Sequence, residues 1–80
     1  MRKMIEEIVE IIIADTQRTI EGCTCRCADD FGYPAELVME HKEDIIEALW
    51  EREEVSDAVW VERDKEFSVG FWLAYCPCAQ

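Results

Sequence analysis

The hydrophobic period of this chain changes once, near Val55, and that change limits what the chain can become. Before Val55 the apolar residues recur every three or four positions; after it they alternate. A stripe repeating every 3.6 residues fits a helix, and a face repeating every second residue fits a strand. Helices followed by strands, rather than interleaved with them, make an α+β domain with an antiparallel sheet.

The first stripe runs through Ile5, Ile8, Val9, Ile12, Ile13 and Ile20, with Glu6, Glu7, Glu10 and Asp15 opposite. It predicts a helix over residues 3–20 that Gly22 ends. Its β-branched isoleucines lower helix propensity, so it depends on packing that stripe. Next comes "GCTCRCADDFGYP", residues 22–34. "CTCRC" alternates, which suits either a short third strand at 23–27 or a loop, and "DDFGYP" supplies turn chemistry. Pro34 suits the first turn of a second helix over 34–54. The apolar face of that helix is Leu37, Val38, His41, Ile45 and Leu49, widened by Ile46 and Trp50. Beyond Val55, "SDAVWVERD" and "EFSVGFWLAYC" around a polar "RDKE" read as a hairpin of strands 57–63 and 66–76. Phe67, Val69, Phe71, Leu73 and Tyr75 share one face of the second strand, the floor for the helices. The expected architecture is a single domain, residues 1–80, with two helices on one face of a small antiparallel sheet.

Eighty residues bury only roughly 60% of the surface their unfolded chain exposes, so the core has little margin. Half the residues are apolar, ample for folding, and the net charge is −11. Such a charge repels nucleic acid and anionic membranes and attracts basic surfaces. Direct nucleic-acid and membrane contact are therefore not expected, and a basic protein surface is. "MRKMIEEIVEIIIAD" opens like a secretory signal, but Glu6, Glu7 and Glu10 interrupt it. The expected location is the cytoplasm, where thiols stay reduced. There is no Gly-rich phosphate loop, and Ser56 and Ser68 have no histidine near them in sequence. A non-catalytic protein is expected, with no cofactor other than a metal held by cysteine.

Five cysteines are candidates for such a site. Residues i and i+2 of a strand lie about 6.6 Å apart with parallel side chains, too far for the disulfide Cβ separation of about 3.8 Å. A tetrahedral zinc site is the sharper reading. If residues 23–27 form a strand beside the C-terminal one, Cys23, Cys25, Cys76 and Cys78 gather on one face. The usual CxxC spacing is missing, however. The plainer reading, small buried apolar residues, is favoured. A catalytic thiol needs a nearby base or cation; Arg26 is local, but the single histidine, His41, falls on an apolar face and is read as a satisfied core residue.

Glu36, Glu40, Glu43, Glu47, Glu51 and Glu54 recur at steps of four and three, one face of the predicted second helix. The first five form the candidate protein-binding ridge. Like charges at this spacing repel, and Lys42, Arg52 and Arg63 are the cations placed to dilute them. Most such runs are solvated faces; the functional alternative is a negative ridge for a basic groove, such as the nucleic-acid cleft of an enzyme. Small acidic inhibitors of nucleic-acid enzymes, anti-restriction and anti-CRISPR proteins among them, are similar in size and charge, with no shared motif. The expected function is an acidic adaptor or inhibitor; the alternative is a small structural zinc domain.

Overall fold

The computed structural model describes residues 2–17, 23–64 and 68–75. In chain order they form α1 (Arg2–Gln17), β1 (Cys23–Cys27), a 3₁₀ turn (Ala28–Phe31), α2 (Ala35–Glu40), α3 (Lys42–Trp50), β2 (Val55–Asp64) and β3 (Ser68–Tyr75). The strands make one antiparallel sheet in the order β1-β3-β2. This is an α+β fold, and the third strand at 23–27 is present. The expectations for residues 18–22 and for Phe67 and Cys76 lie outside the described residues.

α1 buries Ile5, Ile8, Val9, Ile12 and Ile13, the stripe the spacing predicts. Thr16 is buried with them and donates its hydroxyl to the Ile12 carbonyl at 2.7 Å, which satisfies its one polar atom without another element. From the sheet, Val69, Phe71 and Leu73 of β3 and Ala58 of β2 enter the same core; α2 adds Val38, and α3 adds Ile45 and Leu49. Trp60 meets Phe71 edge-on, ring centroids 5.0 Å apart.

The predicted second helix is two helices. His41 leaves helical geometry (φ −108°, ψ 18°), its amide closing a short turn onto the Val38 carbonyl at 3.2 Å. No glycine or proline stands there. The break comes from packing, because α2 lies against β3 and the 3₁₀ turn while α3 lies against α1 and β2. α3 ends at Trp50 rather than residue 54, since residues 51–54 turn the chain so that Val55 enters β2 buried. Pro34 caps α2 from outside its first turn. Gly32 supplies the left-handed step (φ 78°) that leads into that cap.

β2 begins two residues earlier than its alternation indicates. Val55 pairs with Tyr75 and Asp57 with Ala74, so one extra residue bulges between them. Val55 and Ala58 thereby face the same core, a parity that simple alternation hides. Gly70 fixes the other side of β3: a Cβ there would lie 1.9 Å from the Arg26 carbonyl oxygen of β1. Gly70→Ala should therefore push β1 off β3 and cost about 1–3 kcal/mol, read by urea denaturation. Leu49→Ala or Phe71→Ala should each cost about 2–5 kcal/mol. Losses below about 0.5 kcal/mol at both core positions would contradict this packing.

Candidate functional site

The carboxylates sort into two populations. Those on α1 and around the sheet have partners within the chain. Glu6 pairs with Arg2, Glu7 accepts the Tyr33 hydroxyl, Glu10 and Glu54 bracket Arg52, and Asp15 and Asp30 flank Arg26. Glu62 accepts the Trp60 indole N–H, and Asp57 the Ala58 amide. By contrast the side chains of Glu36, Glu40, Glu43, Asp44, Glu47 and Glu51 are all exposed, and no side-chain hydrogen bond or ion pair joins them to another described residue; outside α2 and α3 the same holds for Asp29 in the 3₁₀ turn and for Glu53.

The ridge is therefore present but bent. Glu36 and Glu40 stand on α2, Glu43 and Glu47 on α3, and Glu51 at the C-cap of α3. The break at His41 divides the row that a straight helix would have aligned. Glu54 does not join it: half-buried, it belongs to the Arg52 bracket. Two of the cations expected to dilute the row are engaged elsewhere. Arg52 reaches across to α1, donating to Glu10 at 2.7 Å. Lys42 lies over the Trp60 ring, its ammonium 5.4 Å from the centroid. The side chain of Arg63 lies outside the described residues.

The bracket shifts its own titrations. Glu54 is held below the usual carboxylate range, first by a backbone N–H and then by Arg52, while Glu10 raises the Arg52 guanidinium. A depressed folded pKa gives stability that is present above the ordinary carboxylate range and is lost as pH falls through the lowered value. In Glu54→Gln that acid-dependent contribution should disappear: its melting temperature should change less than wild type's between pH 6 and the acid limb (measured by circular dichroism). The Tyr33 hydroxyl is raised by its hydrogen bond to Glu7.

Two recesses border the acidic population. One of about 950 Å³ lies between α1 and α3, with Ile5, Val9 and Ala48 below and Glu6, Glu10, Asp44, Glu47 and Glu51 around it. The other, about 510 Å³, opens between α3 and β2 beside Trp50 and Trp60. Trp50 is 57% exposed and Val59 46%, large apolar groups left at the surface. Sequence reasoning places Trp50 on the buried face. Its indole N–H instead donates to the Ala58 carbonyl at 3.1 Å, which holds the ring at the margin of the sheet.

Cys25 and Cys27 of β1 fall on the sheet face away from the helices. Cys23, Cys25 and Cys27 pair with Ala74, Trp72 and Gly70, the positions of β3 that alternate with its core residues. Cys25 and Cys27 are free thiols and half-buried, so the favoured expectation of buried apolar cysteines does not hold for them. Their positions follow from the register, since Arg26 between them takes the inward parity. Of the proposed ligands, Cys76, Cys78 and the Cys23 side chain lie outside the described residues; among those described, no group of three or more histidine, cysteine or acidic side chains is placed to hold a metal. Cys27, which sequence reasoning left out of the set, shares the face of Cys25. His41 also departs from expectation. It is half-buried, and its Nε2 is buried without a hydrogen-bond partner among the described residues.

No helix among the described residues is long and apolar enough to cross a membrane. No protein-family description, curated protein or solved structure matches this chain.

Proposed function

We propose that the protein is a non-catalytic acidic binding protein that docks on a basic protein surface, with the exposed carboxylates of α2 and α3 as its contact face. The observation that carries this reading is the sorting of the carboxylates. The chain places arginine or another donor against the acidic residues around α1 and the sheet, yet leaves Glu36, Glu40, Glu43, Glu47 and Glu51 without one. Unpaired like charges on neighbouring turns repel, a cost that a cationic partner removes on binding. A charged face also accelerates encounter with such a partner. The basic clefts that hold nucleic-acid backbones have the complementary charge, so an enzyme carrying such a cleft is the partner class proposed.

The test replaces Glu40, Glu43 and Glu47 together by glutamine. Size and most helix propensity are retained. Folding should hold or improve slightly, and association with a captured basic partner should slow about three- to tenfold at low salt, with weaker salt dependence. Nucleic acid should compete for the same partner. If the triple variant binds unchanged across a salt series, the acidic face is only a solvated surface.

A second reading, a structural zinc domain, is favoured by one specific feature. β1 pairs directly with β3, and the chain enters "CPC" immediately after Tyr75. Zinc would then co-purify stoichiometrically, and a strong chelator would lower the melting temperature markedly. Metal-free protein with unchanged melting removes this reading.

A further inference from the structure

We propose that the cleft between α3 and β2 is a binding slot for a cationic side chain, an arginine above all, presented by a basic polypeptide; this rests on the reading of α2 and α3 as the contact face. The slot has apolar walls, Trp50, Trp60 and Ile46, runs along the margin of β2 at Ala58 and Val59, and is lined by the carboxylates Glu43, Glu47 and Asp57. Flat indole faces attract a cation through their negative quadrupole, and carboxylates at the mouth supply its counter-charge. A guanidinium is planar and weakly hydrated, so it stacks on indole more readily than an ammonium does.

The chain already seats a cation there. Lys42 is the first residue of α3, the end of a helix where positive charge is disfavoured. Acidic residues surround it, yet no ion pair joins it to a described residue; its ammonium lies 5.4 Å from the Trp60 ring centroid. Lys42 thus acts as an internal occupant of the slot, which an incoming arginine displaces. Released from Trp60, it leaves the ring face to the stronger stacking partner. The Trp50 side of the slot is positioned independently, by the indole bond to Ala58, so it does not need the ligand to form.

The probe is a capped tetra-arginine peptide titrated into Trp72→Phe protein, whose remaining tryptophans report through their fluorescence. Saturable change is expected, at least threefold tighter for tetra-arginine than for tetra-lysine. Lys42→Met, which removes the internal occupant at equal length, should tighten binding about threefold. Lys3→Met makes the same change of net charge away from the slot and should tighten it by much less. Trp50→Leu, at an exposed position, should weaken binding fivefold or more, and Trp60→Phe should weaken it while retaining the contact to Phe71. Equal effects of Lys42→Met and Lys3→Met, with no loss in Trp50→Leu, would overturn the slot. In that result the peptide is held by charge alone and the acidic contact face stands. Absence of any tetra-arginine binding also overturns the slot, whereas the contact face is decided separately by the triple-glutamine variant and its basic protein partner.

Discussion

β3 is flanked by a strand on each edge and covered by helices on one face, and its alternation assigns every other element a place. Val69, Phe71 and Leu73 turn toward the helices and are almost wholly buried. Gly70 between them lets the β1 backbone approach so closely that no side chain fits. The helices then have one apolar surface to cover. α1 covers it with a continuous stripe, whereas α2 and α3 cover it as separate pieces against different neighbours. In a chain of eighty residues no second core could compensate for losing this one.

The charge distribution follows from that arrangement. Arg26 is on the inward side of β1, beneath α1, and takes Asp15 at 2.7 Å. Arg52 stands in the turn after α3 and takes Glu10 from α1. Two arginines thus fasten the outermost layer to the sheet and to the following turn while neutralising carboxylates that crowd the fold. Exposed pairs of this kind contribute little each, and their larger effect here is on where the net charge remains. What remains uncompensated is concentrated on α2 and α3.

Much of this was legible in the sequence where one period governs a segment. The α1 stripe, the hairpin and the inward parity of β3 follow from spacing alone; at residues 23–27 the alternation suits a strand or a loop, and pairing with β3 decides for the strand. The division at His41 does not, because residues 39–43 contain no breaker and the bend is imposed by surfaces distant in sequence. The bulge at residues 55–57 was hidden for the opposite reason: it is a local change of parity that alternation cannot express. The acidic residues of the ridge were visible as a row, but their lack of partners was not. That depends on Arg52 reaching across to α1 and on Lys42 turning toward an indole. Trp50 was misplaced because its hydrophobicity suggests burial, while its N–H is bound to a strand margin. Cys25 and Cys27 share one face as their spacing requires, but which face depends on the register with β3.

The bond from Trp50 to Ala58 has a consequence for the outer edge of the sheet. β2 is an outer strand, and an outer strand ordinarily offers its unused amides and carbonyls to any extended chain that drifts past. At Ala58 both are already taken, the carbonyl by the Trp50 indole and the amide by the Asp57 carboxylate. A newcomer aligning there would have to evict two side chains before gaining its first rung, and would meet a carboxylate as it did so. At Ala58, then, the margin offers no free backbone group to a passing strand, through the same tryptophan that the protein displays at the surface.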